Sequence, residues 1–122
     1  MNGERSWDII RRCPDNPLLT LADLPFRCSD IWNAGFTRYG DEYLLLLTIE
    51  TLEGHYRIFR ARGMDGRTFT VEPKPFMVPG VGAQYEEYES AGIRDPRVTY
   101  LEGHYYVTYV ADGRHGLRVG IA

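Results

Sequence analysis

The chain has 122 residues, 43% of them hydrophobic, which is enough for the core of one ordinary domain. Its formal net charge is −3, so the composition gives no reason to expect a nucleic acid or an anionic membrane surface as a partner. No apolar run has the length of a signal peptide or of a membrane span, and we expect a cytoplasmic protein. Cys13 and Cys28 are then expected to be reduced, with one disulfide between them as the alternative.

The balance of residue types indicates an all-β fold. Aromatic residues make up 13% of the chain, with nine Tyr, while 13 Gly and seven Pro supply turns. Residues 1–30 show little periodicity, and they are expected to form an irregular lead-in that packs on a larger unit.

The first regular pattern predicts a blade of four antiparallel strands over residues 31–72. These strands are expected at 31–38, 43–50, 56–61 and 68–72. The second strand is a continuous apolar run, which favours a strand buried on both faces over a short helix. Pro73 and Pro75 are expected to end the fourth strand.

A second, incomplete blade is predicted over residues 97–122, after a loop at 73–96 that carries an Asp-Pro-Arg motif. The segment Tyr43-Leu44-Leu45 aligns with Tyr105-Tyr106-Val107, which indicates a repeat of about 60 residues. A repeated four-stranded meander is the unit of a β-propeller. Because fewer than two blades cannot close a ring, we expect residues 1–122 to be the N-terminal portion of a single, longer propeller domain.

The Asp-Pro-Arg motif is the strongest candidate for a functional site. It places Asp95 between Arg94 and Arg97 and directly before Pro96. The two guanidinium groups are expected to keep the Asp95 carboxylate ionised, and the proline is expected to hold Asp95 in an extended conformation. Residues two apart in a strand face the same side, so Arg97 is expected either to pair with Asp95 or to contact a ligand. A simple turn is the alternative for the whole motif.

Several segments together resemble glycoside hydrolase family 130, the β-mannoside phosphorylases and related mannosidases, which are five-bladed β-propellers. The resemblance runs along nearly the whole chain from Asn16 and covers about the first two blades. The segments that carry it are Asn16-Pro17-Leu18-Leu19, Trp32-Asn33-Ala34-Gly35, Tyr43 to Glu50, Gly92-Ile93-Arg94-Asp95-Pro96-Arg97 and Gly103-His104-Tyr105-Tyr106.

The resemblance implies an enzyme of the glycoside phosphorylase type, which transfers a mannosyl unit from a β-mannoside to inorganic phosphate with inversion. Asp95 would be the general acid, passing its proton through the 3-hydroxyl of the sugar to the glycosidic oxygen. Asn33 and Arg97 would bind the substrate, although a strand-end asparagine that satisfies backbone groups is the alternative for Asn33. The expected partners are a β-mannoside oligosaccharide and phosphate, with no metal or other cofactor, and a homo-oligomer is left open.

Two positions depart from the family pattern. Thr48 stands where the family usually has Arg, so a charged sugar contact is expected to be missing, and Arg94 stands where Glu is common. The family's phosphate-binding cations come from later blades, so the isolated 122-residue chain is expected to be inactive. A β-mannoside hydrolase and a non-catalytic carbohydrate-binding or structural propeller segment are therefore kept as alternatives.

Overall fold

The computed structural model describes residues 9–122, and the first eight residues of the predicted lead-in lie outside this range. The all-β prediction is confirmed: strands dominate the described residues, where the one α-helix, α1 at Glu86–Glu89, is a single turn. Short 3₁₀ turns lie at Leu21–Asp23 and Ala83–Tyr85. The strands are β1 (Asp30–Tyr39), β2 (Glu42–Glu50), β3 (Tyr56–Gly63), β4 (Thr70–Met77), β5 (Gly92–Leu101), β6 (His104–Gly113) and β7 (Gly116–Ile121).

The first four strands form an antiparallel meander whose second strand is its centre. Residues 46–49 of β2 are all at most 3% exposed, which confirms that this apolar run is a strand buried on both faces. Leu47 and Ile49 face a cluster that the lead-in covers with Leu18, Leu24 and Phe26. The irregular residues before β1 therefore cover one face of the meander.

Strands β5 to β7 form a second antiparallel meander, which packs on the other face of the first. Leu46 and Ile58 of the first meander bury themselves against Ile93 and Val107 of the second. The two meanders also share one parallel backbone pairing, between Tyr56 and Gly92. Because of this packing the start of β5, which contains the Asp-Pro-Arg motif, lies against the first meander.

The predicted strand boundaries need two corrections. Strand β4 does not end at residue 72 but runs through Pro73 and Pro75 to Met77. Among residues 9–122, β4 pairs only with β3 and in an irregular register, and such an edge strand tolerates proline, which has no N–H to donate. Strand β5 starts at Gly92, so Asp95 lies inside a strand and the connecting loop spans only residues 78–91.

One buried carboxylate anchors this loop to the second meander. Glu89 is 6% exposed, and its two oxygens accept hydrogen bonds from the Gly80 backbone N–H at 2.8 Å and the Tyr109 hydroxyl at 2.7 Å. Burial raises the pKa of Tyr109 to about 12, and the hydrogen bond to Glu89 adds to the shift. The neutral phenol is thus the form that the folded protein stabilises.

This raised pKa predicts a loss of stability in strong base. An unfolded tyrosine ionises near its ordinary pKa of 10, whereas Tyr109 in the fold stays protonated to about 12. The contribution is fully present below pH 10 and is lost as the pH rises from 10 to 12. Urea unfolding at a series of pH values should show a smaller fall over this window for Tyr109→Phe than for the wild type. The exposed Tyr100→Phe variant is the control, and an unchanged fall in Tyr109→Phe would contradict the assignment.

Candidate active site

Asn33 and Asp95 both lie at β-bulges, on strands that approach each other from the two meanders. The β1–β2 register shifts between Trp32 and Ala34, and the β5–β6 register shifts between Arg94 and Arg97. A bulge leaves a residue out of the ladder and redirects its side chain, and bulges recur next to active sites. Both candidate residues therefore lie outside the regular ladder, as Pro96 also does.

The two redirected side chains meet. Asn33 Nδ2 donates a hydrogen bond to Asp95 Oδ1 at 3.0 Å. Asp95 is not extended, as the following proline led us to expect, but has φ = 53°. Aspartate tolerates this left-handed region better than most residues, and the bulge together with the hydrogen bonds of Asp95 overrides the preference imposed by Pro96.

Thr48 joins the backbones of the two bulges. Its side chain is fully buried, and its hydroxyl donates to the Asn33 carbonyl at 2.9 Å and accepts from the Asp95 N–H at 2.9 Å. The sequence predicts for Thr48 only the loss of a charged sugar contact and does not indicate these two hydrogen bonds. The available signal was a lone hydroxyl within a fully buried apolar strand, because such a group must find partners.

Neither arginine of the motif pairs with Asp95, so the predicted ion pairs are wrong, while the alternative of a ligand contact for Arg97 stays a prediction. Arg94 instead forms an ion pair with Asp112 at 3.3 Å and lies over the ring of Tyr56, 5.0 Å from its centroid. Arg97 Nη1 donates to the Pro96 carbonyl at 2.8 Å and more weakly to the Ala34 carbonyl at 3.4 Å. The prediction relied on simple two-residue alternation, and the bulge between Arg94 and Arg97 breaks that alternation.

A row of aromatic and charged side chains borders the site. Trp32, the neighbour of Asn33, is 49% exposed, and its Nε1–H donates to Glu50 Oε2 at 2.9 Å. The Trp32 and Tyr56 rings pack edge to face, and the Arg94 guanidinium lies over the Tyr56 ring. Half-exposed aromatic rings beside hydrogen-bonding groups suit the binding of sugars, which present both apolar faces and hydroxyls. Sequence reasoning used Trp32 only as part of a motif and did not foresee this row.

Close backbone packing brings the two meanders together at the site. A side chain at Gly35 would place its Cβ 2.7 Å from the Pro96 carbonyl oxygen and 3.3 Å from Val98 Cγ2. Only glycine permits this approach of β1 to β5. The absent side chain therefore helps to bring Asn33 within hydrogen-bonding distance of Asp95.

The larger grooves of the described chain lie away from Asp95. One, of about 300 Å³, is lined by side chains from each of the strands β1 to β6, and a wider one runs beside β7. Within residues 9–122, no three His, Cys, Asp or Glu side chains are grouped so that they could hold a metal ion. No helix in this part of the chain is long and apolar enough to cross a membrane.

The chain is similar to proteins that act on mannosides. Residues 32–122 match the sequence profile of glycoside hydrolase family 130, described as beta-1,4-mannooligosaccharide phosphorylase. The chain is also 39% identical over 57 residues to the beta-1,2-mannobiose phosphorylase of Listeria innocua, a match that covers 47% of this chain and 15% of that protein.

Solved structures share the fold. The beta-1,2-mannobiose phosphorylase from Listeria innocua, in complex with beta-1,2-mannobiose, superimposes with a TM-score of 0.73 at 24% identity, over 90% of this chain and 46% of that one. A second structure comes from family 130, which contains glycoside hydrolases that target beta-1,2 mannosidic linkages in Candida mannan. It superimposes with a TM-score of 0.78 at 24% identity, over 92% of this chain and 36% of that one. The chain thus spans less than half the length of these relatives.

The all-β fold and the sequence match agree on one family. The chain belongs to glycoside hydrolase family 130, the family of the mannoside phosphorylases.

The tight packing at Gly35 predicts that even one added methyl group is destabilising. Gly35→Ala forces β1 and β5 apart at Pro96, and overpacking of this kind lowers the free energy of unfolding by about 1–3 kcal/mol. Denaturant unfolding of the protein expressed from its complete reading frame measures the change. Ala34→Ser, which adds one atom to the exposed neighbouring residue, is the control. A Gly35→Ala protein as stable as this control would show that the two meanders move apart without loss of stability, and would contradict the prediction.

Proposed function

We propose that the complete protein is an inverting glycoside phosphorylase, which transfers a mannosyl unit from a β-mannoside to inorganic phosphate and releases mannose 1-phosphate. The observation that supports this most is the Asp95 carboxylate held at 3.0 Å by the Asn33 amide at a bulge, in a chain of family 130. An aspartate kept at a strained φ by two hydrogen bonds is a candidate for chemistry rather than for folding.

In the proposed reaction Asp95 supplies the proton. The acid protonates the 3-hydroxyl of the mannosyl unit, which passes its own proton to the glycosidic oxygen as the bond to the anomeric carbon breaks. Phosphate attacks that carbon from the opposite face and forms the new C–O bond. Phosphate is already a nucleophilic anion, so no second carboxylate is needed to activate it, unlike the water of an inverting hydrolase.

Asn33 and Arg97 are the proposed substrate contacts. The bond to Asp95 uses one N–H of the Asn33 amide, which leaves its second N–H and its carbonyl oxygen available to sugar hydroxyls. The exposed Arg97 is held on the Pro96 carbonyl, so its guanidinium stays close to the site. Neither contact requires Arg97 to neutralise Asp95.

The rest of the active site is proposed to come from outside these residues. We propose that the complete domain is a five-bladed propeller in which residues 1–122 form about the first two blades. The cations that bind phosphate would then lie on later blades, and the 122 residues alone would be inactive. A cytoplasmic location is part of the same proposal, because intracellular phosphate is the co-substrate.

The second candidate is a β-mannoside hydrolase, in which water replaces phosphate. It is favoured by the engagement of both arginines of the motif: Arg94 pairs with Asp112, and Arg97 binds backbone carbonyls. Neither guanidinium is therefore fully available for a phosphate ion at Asp95. Which reaction occurs then depends on the cations that the remaining blades bring to the site.

The test is incubation of the protein, expressed from its complete reading frame, with β-1,2- and β-1,4-mannobiose, with and without inorganic phosphate. Phosphate-dependent formation of mannose 1-phosphate is expected, and Asp95→Asn should reduce the rate by about 10²–10⁴-fold because it removes the acid. Asp41→Asn, in the exposed β1–β2 turn, is the matched control. Mannose release without phosphate would favour the hydrolase. No turnover of either disaccharide by folded protein would favour the non-catalytic alternative.

A further inference from the structure

We propose that Thr48 is a positioning residue for the acid, and that its hydroxyl sets the direction of the Asp95 carboxylate by holding the two bulges together. This inference rests on the proposed role of Asp95. It assigns a function to a residue that touches no ligand, since the Thr48 side chain is fully buried.

The hydrogen bonds form a closed circuit. The Thr48 hydroxyl donates a hydrogen bond to the Asn33 carbonyl and accepts one from the Asp95 N–H, both at 2.9 Å. The Asn33 side chain then closes the circuit by donating to Asp95 Oδ1 at 3.0 Å. The backbone and the carboxylate of Asp95 are therefore both fixed relative to the same two residues.

The conformation of Asp95 is one that the local sequence opposes. A residue before proline prefers an extended backbone, whereas Asp95 has φ = 53°. Without a partner for its N–H, Asp95 is expected to relax toward the extended region, and this rotation swings the carboxylate away from Asn33. The Thr48 hydroxyl opposes that relaxation from the central strand of a packed meander, which is a rigid support.

The hydroxyl, and not the volume of the side chain, is what the site requires. Thr48 lies beside Leu47 and Ile49 in an otherwise apolar run, where valine would fill nearly the same space. A threonine there leaves no polar group unsatisfied only because the two bulges present a free carbonyl and a free N–H to it. Substitution by valine therefore separates packing from hydrogen bonding.

The experiment compares Thr48→Val, Thr48→Ser and wild type as folded protein expressed from the complete reading frame, with β-mannobiose and phosphate as substrates. We expect Thr48→Val to lower kcat by about 10²-fold, the loss typical of a misplaced catalytic group, with KM changed by less than about threefold. Thr48→Ser should keep kcat within about threefold of wild type. Thr99→Val, on the exposed side of β5, controls for loss of a threonine hydroxyl elsewhere.

A second readout does not depend on turnover. Hydrogen exchange of the Asp95 amide, followed by NMR, should be more than about tenfold faster in Thr48→Val than in Thr48→Ser because its acceptor is gone. If Thr48→Val does not fold, Thr48→Ala and Thr48→Ser form an equivalent pair that differs by one hydroxyl.

The outcomes separate this inference from the proposed function. Equal kcat and equal Asp95 exchange in the valine and serine variants would overturn the role of Thr48 even if the wild type is an active phosphorylase. A serine variant as impaired as the valine variant would also overturn it, because packing would then be the cause. A wild type without turnover refutes the proposed function, and the amide exchange still decides whether Thr48 holds Asp95.

Discussion

The site depends on one buried hydroxyl placed between two β-bulges. Bulges redirect side chains, but they also remove backbone groups from their ladders, and a buried carbonyl or N–H without a partner is destabilising. Thr48 satisfies one group from each bulge with a single side chain. The irregularity that exposes Asn33 and Asp95 is therefore compensated inside the fold.

The second constraint is how the two meanders meet. They share one backbone pairing, a small apolar cluster and the glycine contact at Pro96, so the distance between Asn33 and Asp95 is set by tertiary packing. The lead-in stabilises the outer face of the first meander, where Leu18, Leu24 and Phe26 cover the core. Residues with no chemistry of their own thus maintain the geometry on which the candidate acid depends.

The charges around the motif are distributed differently from what the linear order of residues indicates. Arg94 reverses the charge usual at its position, but Asp112 pairs with it and Tyr56 lies against it, so this charge is compensated without Asp95. Thr48 does not provide the cation that the family pattern leads us to expect at this position, but its hydroxyl accepts a hydrogen bond from the Asp95 N–H. On the sequence alone, both departures favour the alternatives to a phosphorylase. In the fold Arg94 is engaged away from Asp95, so neither departure opposes the candidate acid, and the choice between phosphate and water is left to residues elsewhere.

The sequence alone determined the all-β class, the succession of strands along the chain and the burial of β2, because alternation and turn residues are local properties. The family followed from the resemblance of its motifs. Asn33 and Asp95 could also be named from the motifs. Only the tertiary structure decided that they meet, that Asp95 is left-handed, that Arg94 pairs with Asp112 and that β4 continues through two prolines. The physical reason is the same in each case. Two-residue alternation and proline rules describe a regular strand, whereas bulges and edge positions depend on what packs alongside, and a residue 62 positions away cannot be read from the local pattern.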